Sequence, residues 1–120
     1  MKVHYCSRMV AEAGSYSPSA GKPASVVASW RRLYPALEFV APEPLTAAQL
    51  ALAHDRDYVD GVLALRLPNG FGNCLPGVAA SLPYTSGAMV AAAREALASR
   101  AVGIAPVSGF HHACWDEGGG

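Results

Sequence analysis

Apolar residues along the chain follow two different spacings, and each change of spacing marks a new element. Val3-His-Tyr-Cys6 is short and rich in β-formers, so a first strand is expected there. Ser15 to Pro23 is dense in Ser, Pro and Gly and reads as a loop. From Ala24 the positions Val26, Val27, Trp30, Leu33 and Tyr34 recur at helical spacing until Pro35 stops them, which predicts a helix. Leu37-Glu-Phe-Val-Ala41, closed by Pro42, is a second strand candidate. In Thr46-Ala-Ala-Gln49 the glutamine can reach back to the amide of the capping threonine, so a short helix is expected to about His54. Asp55 can cap the next helix, where Tyr58, Val59, Val62, Leu63 and Leu65 form one apolar face.

Pro68 to Pro83 holds three glycines, three prolines and two asparagines, and is expected to be one long loop. Ser86 would then cap an alanine-rich helix through about Ser99. Val102-Gly-Ile-Ala-Pro-Val107 is nearly all apolar, as a central parallel strand should be. Strands alternating with helices imply right-handed crossovers and an α/β, doubly wound sheet. Ligands of such sheets bind beyond the carboxyl ends of strands, which is where His111 and His112 fall.

Composition narrows the class. A chain of 120 residues suits one domain, 1–120, and 52% hydrophobic with 15% charged residues argues against disorder. Acids and bases balance at nine each, with no basic cluster beyond Arg31-Arg32, so nothing marks a surface for nucleic acid or an anionic membrane. No apolar run has the length of a membrane span or a signal peptide. Three dispersed cysteines without metal spacing are expected to be free thiols, which fits the cytoplasm.

The candidate chemistry lies in Pro106-Val-Ser-Gly-Phe-His-His-Ala113. Adjacent side chains on an extended loop point apart, so His111 and His112 would not chelate together. One can meet substrate or water while a partner holds the other, and a histidine can take a proton and return it to a leaving amine. The plainer alternative is a loop-packing pair, with Gly109 serving the turn. Cys114, Asp116 and Glu117 suggest a crude metal cluster, but their spacing matches no established zinc site, and a solvated acidic loop explains them. His54-Asp55-Arg56-Asp57 is explained by helix capping. His4 reads as a satisfied strand-end histidine. Asn69-Gly-Phe-Gly-Asn73 has no helix directly after it and is not read as a phosphate loop.

Ser108-Gly-Phe-His-His-Ala113 resembles the Gly-x-His-His-Ala signature of the histone deacetylase superfamily, the zinc-dependent amide hydrolases of the arginase/deacetylase fold. Leu50-x-x-x-His54 with Tyr58-Val59, the segment Ser81 to Leu97, and Ser17-Pro-Ser-Ala-Gly-Lys-Pro23 are similar to family segments in the same order. The resemblance implies a three-layer α-β-α fold, with this chain giving a partial parallel sheet of about three strands in the order 2-1-3. It implies His111 and His112 as the catalytic pair, the second as base toward zinc-activated water and the first tuning charge. Gly109, Phe110, Asn73 and Gly120 would line the substrate channel, and acetyl-lysine or an acetylated amine would be the substrate. Asn73 is the nearest candidate for the family's acidic substrate grip, because no Asp or Glu lies between Asp60 and Glu95.

The departures shape the functional expectation. The family's zinc ligands include an Asp-x-His pair after the next strand, and no Asp-x-His occurs in these 120 residues. The chain is therefore expected to be the N-terminal portion of a deacetylase-like domain, not active alone. Zinc belongs to the complete family, and none is expected to be bound here. In the order 2-1-3, Val102–Val107 is an open apolar edge. The expected partner at that edge is a second copy, giving a homodimer, or a complementary C-terminal segment. The alternative function is a non-catalytic binding or oligomerisation module.

Overall fold

A computed structural model of the chain describes residues 1–109 and 112–119. Strand β1 (Lys2–His4) is flanked on one side by the parallel strand β2 (Glu38–Val40), with Val3 opposite Phe39. On its other side a single parallel bridge joins Val3 to Ile104, and the His4 amide donates to the Ile104 carbonyl at 2.8 Å. Val3 is completely buried between these neighbours.

The three-layer α-β-α fold with about three parallel strands is not formed among the described residues. The sheet has two strands, and residues 102–107 add one bridge. The cause is local. Pro106 has no N–H for a ladder, and the Val107 amide turns back onto the Ala105 carbonyl at 3.0 Å. An apolar run does not by itself supply pairing, and here residues 103–107 are only half-buried while Val102 is exposed.

Helix α1 (Lys22–Leu33) starts two residues earlier than the apolar pattern suggests, because Pro23 fits the first turn, where no N–H is needed. Helix α2 (Ala47–Leu50) opens with the expected reciprocal cap. The Gln49 amide donates to Thr46 Oγ1 at 3.2 Å, and the Thr46 amide donates to Gln49 Oε1 at 2.8 Å. Helix α3 (Arg56–Leu63) is capped by Asp55 Oδ1, which accepts from the amides of Asp57 and Tyr58 at 2.9 and 3.0 Å.

Helix α4 (Pro76–Ser99) overturns the expected loop. It runs for 24 residues, begins at Pro76 and carries Pro83 in its interior. Proline is tolerated at the first helical position, so Pro76 starts the helix instead of preventing it. Pro83 removes one bond inside the helix, while its carbonyl accepts the Leu45 amide at 3.0 Å. Ser86 is consequently not a cap but a residue in the middle of the helix.

Packing centres on α4, whose Val78, Ala79, Ala88 and Ala92 are buried. A 3-10 turn, Ser7–Met9, places Met9 in the interior beside it. His4 is likewise buried, and its Nε2 lies 2.6 Å from Glu95 Oε2 on α4. Glu95→Ala would take the carboxylate away from this buried imidazole, so urea unfolding should show a loss of about 1–3 kcal/mol. Glu95→Gln, which can still accept a hydrogen bond, should lose less.

Two loops and a hairpin complete the chain. Ala11, Ala13 and Ala20 pack with Val78 and Phe71, and Asn73 Nδ2 donates to the Ala13 carbonyl at 2.7 Å. Strands β3 (His112–Ala113) and β4 (Gly118–Gly119) pair antiparallel, and the Cys114 amide donates to the Glu117 carbonyl at 2.8 Å. No helix among the described residues is long and apolar enough to cross a membrane.

Candidate functional site

The turn from α2 into α3 faces α4 across a cleft of about 220 Å³. Its apolar wall comes from Val59, Val62 and Leu63 of α3 and Leu82 of α4. Thr85 and Ser86 bring hydroxyls from α4, and Asn69 and Gly70 close one rim. Ser108, Gly109 and the hairpin residues Ala113, Glu117 and Gly118 form the opposite rim. These residues meet because the Asp55 cap ends one turn and begins α3, which sets Leu50, His54 and Tyr58 at four-residue intervals on the cleft side.

Two hydrogen bonds hold the hairpin to this turn. His54 Nδ1 lies 2.8 Å from the Cys114 carbonyl, and the Asp55 amide donates to the Trp115 carbonyl at 2.7 Å. A carbonyl only accepts, so Nδ1 carries the proton. The His54 ring also meets the Tyr58 ring edge-on, with centroids 6.1 Å apart.

Burial, and then the negative charge of Glu117, push the Tyr58 phenol above its ordinary 10.0. The ring signals of Tyr58 should therefore report a phenol titrating above 10.0. Glu117→Gln should bring it down only part of the way, because burial is the larger cause. The sign for stability follows directly. The folded chain holds this proton more tightly than the unfolded one, so the contribution is fully present below 10.0 and is lost as pH rises through the raised value.

The residues expected from sequence are distributed unevenly. His112 sits on β3 with an exposed side chain, and Gly109 lines the cleft. Phe110, His111 and Gly120 lie outside the described residues. Asn73 is occupied elsewhere: its Oδ1 accepts from Asn69 Nδ2 at 2.9 Å and from the Leu75 amide at 3.1 Å. Its neighbour Asn69, 3% exposed, is the one that reaches the cleft. Tyr58, Ser86 and Ser108 line the cleft without being expected as site residues, and Glu117, considered from sequence only as a metal donor, lines it too. The four-residue spacing from Leu50 through His54 to Tyr58 is a usable signal, and the Trp-Asp-Glu-Gly turn before β4 is a weaker one.

Among the described residues no group of three His, Cys, Asp or Glu side chains is placed to hold a metal ion. Among the described residues the cleft offers an apolar recess with hydroxyls, one phenol, one imidazole and one carboxylate along its walls. No protein-family model matches this chain, and no curated protein matches it.

Proposed function

We propose that this chain carries the acid/base half of a deacetylase-like amide hydrolase, with His111 and His112 as the histidine pair, and has no turnover of its own. One observation carries the reading. Ser108 and Gly109 before the pair and Ala113 after it all line the 220 Å³ cleft. Histidines can move protons near neutral pH, and an apolar recess lined by the residues that flank the pair offers a wall for an acyl chain. Acetyl-lysine or a small acetylated amine is the substrate class. Amide hydrolysis also needs strong stabilisation of the developing oxyanion, and the described donors do not assemble a metal site for it.

The test joins binding with turnover. Titration with N-acetylbutylamine is expected to shift the amide signals of Ser108, Gly109 and Ala113. An acetyl-lysine peptide should stay intact with or without added zinc. Absence of shifts at those three residues would remove the site assignment. Turnover that His112→Ala abolishes would show that the chain hydrolyses amides unaided.

Residues 102–107 favour a second reading, a non-catalytic module that associates through this segment. Ile104 makes the one bridge to Val3, and Val102 is 71% exposed. An open apolar edge is a template for another chain, and a second copy can present the same segment in a two-fold pairing. Sedimentation at micromolar concentration should show a dimer that Val102→Lys dissociates. A monomer would sink this reading.

A further inference from the structure

We infer that the cleft binds a small organic cation, a primary ammonium on a short alkyl chain, with Glu117 as its counter-ion. Size sets the first limit. At about 220 Å³ the cleft falls below the roughly 300–1,000 Å³ of sites for drug-sized ligands, so only a short chain fits. The floor of Val59, Val62, Leu63 and Leu82 offers that chain an apolar wall and no polar partner.

Charge sets the second limit. Glu117 is the only Asp, Glu, Lys or Arg among the described lining residues. The ion pairs among the described residues are Lys2–Glu95, His4–Glu95 and Arg56–Asp60, so none of them neutralises Glu117. The surroundings reinforce its sign. Residues 55–66 and 112–119 hold five of the nine acids of the chain (Asp55, Asp57, Asp60, Asp116 and Glu117) but two of its nine bases, Arg56 and Arg66. Such a field draws cations toward the cleft and repels anions.

The local donors and acceptors agree with this sign. Glu117 lines the cleft from the hairpin, and its negative charge reaches the Tyr58 phenol. An ammonium has three donors and no acceptor. The Glu117 oxygens, with the hydroxyls of Ser86 and Ser108 on the same walls, are acceptors. In the neutral His54 ring, Nδ1 holds the proton given to Cys114, which leaves Nε2 an acceptor as well. Cation binding here is independent of whether the histidine pair performs amide chemistry, since the neutral N-acetylbutylamine that tests the latter carries no ammonium.

The experiment compares three ligands of one chain length, n-butylammonium, n-butanol and butyrate. Each is titrated into the full chain at neutral pH and low salt while the methyl signals of Val59 and Val62 are followed. Butylammonium should bind about fivefold more tightly than butanol, the range of a partly exposed ion pair, and butyrate should bind more weakly than either. Glu117→Gln should erase the preference of the amine over butanol, while ligand-free Val59 and Val62 methyl signals at their parental positions report that the variant is folded. In the parent chain, added salt should shrink the amine preference without moving the butanol curve. Equal binding of amine and alcohol, a preference that survives Glu117→Gln or high salt, or no binding of any of the three would overturn the assignment.

Discussion

Alanine at Gly103 is expected to lower stability by about 3 kcal/mol and to loosen the segment that leads to the histidines. A Cβ on residue 103 would stand 2.1 Å from the Ala92 carbonyl oxygen and 2.7 Å from its carbon. Both atoms belong to the backbone of α4 at a buried position, so no side-chain rotation can relieve the overlap. Either α4 or residues 102–107 must move, and the latter are held to β1 by one bridge. The strand segment should therefore yield first. Ser108 and Gly109 would shift with it, and the cleft rim they form would open. Urea unfolding measures the first effect, and loss of ligand-induced shifts at Val59 and Val62 measures the second. A variant with the parental unfolding midpoint would show that the approach is not tight in solution.

The second large effect is expected at Gly87, where two opposing contributions can be weighed. Alanine in place of glycine in a helix interior gains up to about 1 kcal/mol. At residue 87 the new Cβ would lie 2.1 Å from the Glu43 carbonyl oxygen and 3.1 Å from its carbon. That loop cannot simply drift away, because the Leu45 amide is bonded to the Pro83 carbonyl one turn earlier. Overpacking of this kind costs about 1–3 kcal/mol or more, so the clash should win by about 2 kcal/mol. Gly77, in the first turn of the same helix, has nothing within 4 Å of its Cβ position. Gly77→Ala should accordingly stabilise by about 0.5–1 kcal/mol. Thermal melts of the two variants should move in opposite directions. A shift of the same sign in both would mean that the loop does not press on α4.

Local capping was the most legible layer of this sequence. The Thr46–Gln49 box and the Asp55 cap are readable from sequence because each depends on groups within three residues. Pro35 and Pro42 likewise mark the ends of α1 and β2, where an imino nitrogen stops regular bonding. Counting prolines and glycines fails between Pro68 and Pro83, because their effect depends on position within an element. Pro76 occupies the one helical turn that needs no N–H, and the carbonyl of Pro83 is bonded from outside the helix.

The site was legible only in part. Gly109 is expected at the substrate channel and lines the cleft, but Asn73 serves to join two loops, a role set by contacts 60 residues apart. The apolar run Val102–Val107 reads as a buried central strand, but it is at most half-buried and makes one bridge. Pairing there is decided by the missing donor of Pro106 and by the close pass of Gly103 over Ala92, neither of which shows in periodicity. Glu117 is read from sequence only as part of a crude metal cluster and set aside, because an acidic residue in a loop is ordinarily solvated. Its significance arises only when His54 and Asp55 draw the hairpin over the cleft.

The position of β1 bears on the order in which the chain can fold. The partner of His4 on α4 lies 91 residues further along the chain, and Ile104 comes later still. β2 can pair early and shield one side of Val3. The other side stays wet until the end of α4 has been made. Pairings this distant in sequence slow the search for the native state, and an unsatisfied apolar strand is open to other chains in the meantime. Completion of β1 should thus wait for the step that brings Glu95 and Ile104 to it, and variants that weaken α4 should delay β1 as much as α4 itself.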